Sequence, residues 1–149
     1  MLTESARMSS AAEARFRIDR PNSRPRAITV IALDPPSERV VTALADGAWN
    51  RATFVALRTL SQAQVDERIA GADLVVLVAT AGENARGAAL IGEACSAARV
   101  YTTGLILGEA GSSDEALSQT LAALRPWTLM LVIARSTDYV EDMLHALRA

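Results

Sequence analysis

The feature that most constrains the fold of this 149-residue chain is the regular alternation of short apolar segments with amphipathic ones. Five apolar segments have the length of buried strands: 27–33, 53–58, 72–79, 100–107 and 128–134. Stretches typical of amphipathic helices follow them: 37–46, 61–70, 86–98, 113–124 and 137–148. Strands that alternate with helices form a parallel sheet covered on both faces. We therefore predict an α/β fold, a three-layer α/β/α sandwich around a five-stranded parallel sheet in the Rossmann/flavodoxin-like order 2-1-3-4-5.

The composition is that of an ordinary globular protein, because 50% of the residues are hydrophobic and the chain is long enough to bury a core. We expect residues 27–149 to form one α/β domain. The longest apolar run, 74–79, is far shorter than the roughly 20 residues that cross a bilayer. Since no apolar signal-peptide core follows the N-terminus either, we expect a cytoplasmic protein without a membrane partner.

Several kinds of chemistry are excluded by residues that the sequence lacks. All 15 basic residues are arginine, so the chain has no P-loop lysine, no Schiff-base lysine and no lysine of the kind that phosphoacceptor receiver domains require. The dinucleotide fingerprint G-x-G-x-x-G is absent. The single cysteine, Cys95, rules out an intrachain disulfide and a thiolate zinc cluster, and we expect it to be a buried apolar residue. We expect no cofactor and no metal.

Residues 1–26 differ in composition from the rest of the chain. Six arginines and three acidic residues give this segment a net charge of +3, and few apolar residues separate them. A segment of this kind buries too little apolar surface to fold alone, so we predict a basic, flexible N-terminal arm. The arm is either solvated or bound to an acidic neighbouring subunit. Nucleic acid is not an expected partner, because no aromatic residues alternate with the arginines and the whole chain carries a charge of −2.

Two loops are predicted to line the crevice above the carboxyl ends of strands 1 and 3, at 34–39 and 80–87. In the first, Asp34 precedes Pro35 and Pro36, which lack N–H donors and stiffen the turn. A dinucleotide or flavin site needs glycines or hydroxyl groups there, so the first loop disfavours such a cofactor. Asp34 is nevertheless a candidate ligand-binding residue. With Glu83 of the second loop it is also a candidate Mg²⁺ or acid/base pair.

In the second loop, Gly82 and Gly87 bracket polar residues and lead into an Ala-rich helix. Backbone N–H groups and the positive end of a helix dipole can receive an anion at such a turn. We predict that a bound anion would contact the backbone of Gly82 and Gly87 and the side chains of Asn84 and Arg86. The alternative for Asn84 and Arg86 is an ordinary polar turn that caps the helix.

Three short motifs in the middle of the chain carry a family resemblance. They are GAD at 71–73, TAG at 80–82 and GAA at 87–89. In this order, around an apolar strand and a following helix, they resemble the central segment of the tubulin-like division GTPases, the FtsZ family. The resemblance covers roughly residues 27–135 and implies the nucleotide-binding half of that fold.

The phosphate loops depart from this family's pattern. The family has a GGGTGTG run where this chain has Gly82-Glu83-Asn84-Ala85-Arg86-Gly87, and a glycine run where this chain has Asp34-Pro35-Pro36. The family's activation domain has no counterpart in residues 1–149, so we do not expect GTP hydrolysis. We predict a non-catalytic binding or assembly protein on a degenerate tubulin/FtsZ-type fold, with a protein partner or a homo-oligomer. The alternative is a small-ligand enzyme or sensor that binds a phosphate- or carboxylate-bearing molecule above the ends of strands 1 and 3.

Overall fold

The computed structural model describes residues 24–108 and 111–149. The strands in these two ranges are β1 (Ile28–Ala32), β2 (Ala52–Ala56), β3 (Leu74–Thr80), β4 (Tyr101–Leu107) and β5 (Met130–Ala134). The helices are α1 (Pro35–Ala45), α2 (Gln62–Ala70), α3 (Gly87–Ala98), α4 (Asp114–Leu124) and α5 (Thr137–Ala146). Of the predicted basic arm 1–26, residues 1–23 lie outside the described residues. Within the described ranges no helix has the length and hydropathy needed to span a bilayer.

The five strands form one sheet in the order β2-β1-β3-β4-β5, and each neighbouring pair is parallel. The predicted α/β fold and strand order are confirmed. Every residue of β1 and β3 is buried, as expected for the centre of a parallel sheet whose two faces are both covered. Because β1 and β3 are neighbours and the chain leaves them in opposite directions, the topological switch point lies between their carboxyl ends.

The core consists of two apolar layers, one on each face of the sheet. On the first face, α1 and α5 bury four side chains against the strands: Val41, Leu44, Val140 and Leu144. On the second face, α2, α3 and α4 bury six: Val65, Ile69, Ala88, Ile91, Cys95 and Leu124. The three-layer arrangement thus follows from helices that each present one apolar stripe to the sheet.

Several boundaries differ by one or two residues from the sequence-based expectation, and two of these differences have a local physical cause. Helix α1 begins at Pro35, two residues before its predicted start, because Asp34 caps it and proline is tolerated in the first turn, where N–H groups have no helical partner. Strand β2 ends at Ala56 instead of residue 58, because Leu57–Thr59 turn into a short 3₁₀ helix. In that turn the Thr59 hydroxyl donates to the Ala56 carbonyl oxygen over 2.7 Å.

A close contact between α3 and the short 3₁₀ turn Arg125–Trp127 requires glycine at one position of α3. A Cβ atom at Gly92 would lie 2.6 Å from three atoms of the Trp127 side chain. Only a residue without a side chain therefore lets the indole pack against this helix. Gly71, at the end of α2, is different, because a Cβ there would meet only the Glu67 carbonyl oxygen at 4.0 Å.

We predict that Gly92→Ala lowers the free energy of unfolding by about 1–3 kcal/mol, because overpacking displaces the indole or the helix. Gly71→Ala is the matched control, and it should stay within about 0.5 kcal/mol of the unsubstituted protein. Urea unfolding followed by circular dichroism measures both variants. Equal midpoints for the two would contradict the close approach of Trp127 to α3.

Candidate functional site

The switch point between β1 and β3 brings together the two predicted loops, since parallel strands end at the same edge of the sheet. Helix α1 leaves this edge over one face of the sheet, and α3 leaves it over the other. The structure therefore places Asp34 beside Thr80, the last residue of β3.

Asp34 is the centre of this junction. Its side chain caps α1, and the residue is only 3% exposed. Oδ1 accepts hydrogen bonds from the Ser37 backbone N–H at 2.9 Å and from the Thr80 hydroxyl at 2.8 Å. Oδ2 accepts from the Thr80 backbone N–H at 2.7 Å. Both carboxylate oxygens are therefore engaged by the protein's own donors, and one side chain links β1, β3 and α1.

Ser37 completes the capping box at the start of α1. Its hydroxyl donates to the Asp34 carbonyl oxygen at 2.9 Å and accepts from the Asp34 N–H at 3.2 Å. Ser37 is fully buried, like the carboxylate it supports. Two prolines follow the cap, so the first turn of α1 offers few N–H groups to a ligand.

The loop after β3 contacts α4. Gly82 has a φ of +85°, a conformation that favours glycine, and its N–H donates to the Thr120 hydroxyl oxygen at 2.9 Å. Thr120 in turn donates to the Ala116 carbonyl oxygen over 3.2 Å. The Glu83 N–H turns back to the Thr80 carbonyl oxygen at 3.0 Å. The backbone N–H of Gly82, which we predicted to receive an anion, is thus bonded within the chain.

The rest of this loop prepares the start of α3. The Asn84 side-chain oxygen accepts from the Arg86 N–H at 3.0 Å, a turn of the kind that asparagine favours. Gly87 lies where a Cβ atom would collide with the Leu57 side chain, so this glycine allows close packing. The Arg86 side chain is exposed and pairs with no carboxylate of the described residues. Among the predicted ligand residues, Arg86 therefore has the polar side chain that is most available to bind a partner.

The candidate pair of Asp34 and Glu83 consists of two very different groups. Asp34 is buried and hydrogen-bonded, whereas Glu83 is exposed in the loop that contacts α4. In the described ranges no cluster of three or more His, Cys, Asp or Glu side chains is placed to hold a metal ion.

Cys95 lies in α3 and is buried against the sheet, as predicted. Burial raises the pKa of its thiol, and a hydrogen bond with Thr102 opposes this effect to a smaller extent. A raised pKa keeps the thiol protonated near neutral pH, which is the unreactive form.

Two surface cavities lie at the amino ends of the strands, opposite the switch point. One of about 440 Å³ is formed by the amino ends of β1 and β2 with α2, and Arg51 and Arg68 line it. A neighbouring one of about 620 Å³ shares Arg51 and adds Arg24 and Arg26. No sequence motif indicates this grouping, because the arginines come from separate segments of the chain.

Comparison with known proteins shows a likeness of fold but no family. No protein-family model matches the chain, and no curated protein matches it. The chain is similar to the crystal structure of a pilus assembly protein CpaE from Caulobacter crescentus CB15, with a TM-score of 0.43 and 14% sequence identity. The match covers 82% of this chain and 98% of that one. Similarity this low leaves the function to be inferred from the chain's own residues.

We predict that Asp34→Ala lowers the free energy of unfolding by about 2–4 kcal/mol, because it leaves the buried N–H groups of Thr80 and Ser37 without an acceptor. Glu83→Ala, in the neighbouring exposed loop, should change it by less than about 0.5 kcal/mol. Chemical denaturation of both variants tests this difference. An Asp34→Ala protein as stable as the parent would contradict the assigned hydrogen bonds.

Proposed function

We propose that this chain is a non-catalytic binding or assembly module, built on a nucleotide-binding type of α/β fold whose ligand crevice is closed by its own side chains. The observation that carries the proposal is the buried Asp34 carboxylate, which accepts three hydrogen bonds at the switch point. A negative charge in this place repels the phosphate or carboxylate of a ligand. Four N–H groups that could receive such a group, those of Thr80, Gly82, Glu83 and Arg86, are already engaged within the chain.

The proposal includes a degenerate relation to the tubulin/FtsZ family. It is supported by where the motifs fall: 80–82 (TAG) ends β3 and begins the loop, and 87–89 (GAA) opens α3. The glycines of these motifs support packing here, because Gly82 contacts α4 and Gly87 makes room for Leu57. The module comprises residues 27–149, preceded by the basic arm 1–26, and we place it in the cytoplasm.

A protein partner or a second copy is favoured by the exposed apolar side chains of the chain. Six large hydrophobic residues of the described ranges are exposed. Three of them lie in or next to β5: Leu129, Met130 and Ile133. Exposed apolar side chains gathered in one place mark contact surfaces in soluble proteins. The activity of this chain therefore lies in contact with another protein surface.

One observation favours a second candidate, a sensor or enzyme for a small anionic molecule. The Arg86 guanidinium is exposed at the start of α3, where the positive end of the helix dipole adds to its charge. A ligand held by Arg86 would sit outside the closed crevice, over the loop. Gly82, Asn84 and Gly87 would then shape its edge, with Asp34 beneath them.

We predict that GTP, GDP, ATP and phosphosugars, each with Mg²⁺, leave the melting temperature unchanged. A ligand at one hundred times its dissociation constant would add about 2.7 kcal/mol, which is roughly 5–10 °C for a domain near this size. Differential scanning fluorimetry measures the shift. The second candidate would replace the first if a ligand raises the melting temperature and this rise disappears in Arg86→Ala and Gly82→Val. The rise should then persist in the control Arg125→Ala, which lies near the amino end of β5.

A further inference from the structure

Three neighbouring cavities form one groove along the amino ends of the strands, here called the amino-end groove. The cavities of about 440 and 620 Å³ share Arg51. The second of them shares Tyr101 with a third cavity, of about 320 Å³, at the starts of β4 and β5. Because neighbouring strands lie about 4.8 Å apart, a groove across five strands is roughly 19 Å long. An extended peptide rises about 3.3 Å per residue, so about six residues span it.

The half of the groove near β1 and β2 is positively charged. Two carboxylates line it, those of Glu67 and Asp73. Four arginines also line it, and none of them pairs with a carboxylate within 24–108 and 111–149: Arg24, Arg26, Arg51 and Arg68. A chain with a net charge of −2 therefore gathers an excess of positive charge at one place on its surface.

Backbone hydrogen bonds fix the segments that carry these arginines. The Ile28 N–H donates to the Arg51 carbonyl oxygen at 3.2 Å. The Asp73 N–H donates to the Ala27 carbonyl oxygen at 2.7 Å, and the Asp73 carboxylate accepts from the Ala27 N–H at 2.8 Å. The arginines therefore extend from a backbone that is already ordered, which reduces the entropy lost when a partner binds.

The half of the groove near β4 and β5 carries exposed apolar side chains. Tyr101 and Leu129 are 68% and 77% exposed, the highest values among the large hydrophobic residues of the described ranges. They lie at the starts of neighbouring strands, where the Leu129 N–H donates to the Thr102 carbonyl oxygen at 2.8 Å. Trp127 lines the same cavity. Tyrosine, tryptophan and arginine are enriched in protein interfaces and among the residues that contribute most to binding.

We infer that the amino-end groove binds an extended acidic segment of a partner protein. Its carboxylates would reach the arginines, and an apolar side chain next to them would cover Tyr101 and Leu129. A guanidinium group forms paired hydrogen bonds with a carboxylate, so arginine suits this ligand. Charge complementarity also fixes which half of the groove receives the acidic residues. The inference rests on the proposed function and names the chemistry of the partner.

A nucleic acid strand fits this groove less well than a peptide. Glu67 and Asp73 would repel its phosphates, whereas the N–H groups of a peptide backbone can donate to both carboxylates. Asp73 uses Oδ2 for the Ala27 N–H, and a carboxylate has the capacity to accept further hydrogen bonds. Gln64 lies in the same half and can both donate to and accept from a peptide group.

Two fluorescein-labelled synthetic peptides, followed by fluorescence anisotropy, test the two halves of the groove separately. EDEDLF carries both acidic and apolar residues, and EDEDSS carries the acidic ones alone. Arg51→Glu should raise the dissociation constant of both peptides about tenfold or more, because repulsion replaces attraction. Tyr101→Ser should raise that of EDEDLF about fivefold and leave that of EDEDSS within about twofold.

Matched controls lie at the other end of the sheet. Arg39→Glu makes the same change of charge at an exposed position of α1, and Tyr139→Ser removes a tyrosine of α5 that is 50% exposed. Both should leave the dissociation constants within about twofold. The charge-reversed peptide KRKRLF should bind at least about tenfold more weakly than EDEDLF. Circular dichroism checks that each variant folds.

The inference is overturned if EDEDLF fails to bind at about millimolar concentration. It is also overturned if Arg39→Glu and Tyr139→Ser weaken binding as much as Arg51→Glu and Tyr101→Ser do. Tighter binding of an oligothymidylate would assign the groove to nucleic acid, and a dimer that Arg51→Glu dissociates in sedimentation velocity would assign it to a second copy. The closed crevice of the proposed function fails separately, if a nucleotide raises the melting temperature.

Discussion

The buried carboxylate of Asp34 is the interaction on which the arrangement around the switch point depends. A buried charge is costly unless it is hydrogen-bonded, and this one accepts from Ser37 and twice from Thr80. Its position at the start of α1 adds a favourable interaction with the helix dipole. One side chain thus fixes where β1 ends, where α1 begins and how β3 lies beside them.

The same groups lie where this architecture usually binds its ligand. Doubly wound sheets bind ligands above the carboxyl ends of their central strands, with free N–H groups at the following helix. Here the Thr80 and Gly82 N–H groups bond to Asp34 and Thr120, and two prolines begin α1. Apolar side chains are exposed elsewhere, at the edge strand β5, where Leu129, Met130 and Ile133 lie.

The sequence predicted the fold well because alternation along the chain is a local signal. Five apolar segments separated by amphipathic ones are enough to predict the strand order. Asp34, Gly82 and Gly87 are predicted as ligand-binding residues, and their contacts within the chain are not predicted. A local pattern does not indicate these contacts, because Thr80 is 46 residues from Asp34 and Thr120 is 38 residues from Gly82. The exposure of Leu129 and Ile133 likewise depends on β5 lying at the edge of the sheet, which only the assembled topology determines.

Amide hydrogen exchange followed by NMR tests most directly whether the chain itself fills the switch point. If Asp34 and Thr120 hold these donors, the Thr80 and Gly82 amides exchange slowly, and adding GTP with Mg²⁺ leaves their rates and chemical shifts unchanged. Exposed amides of the same loop exchange fast in both samples. Rapid exchange at Thr80 and Gly82 that becomes slow when the nucleotide is added would contradict a closed crevice and restore a ligand site there.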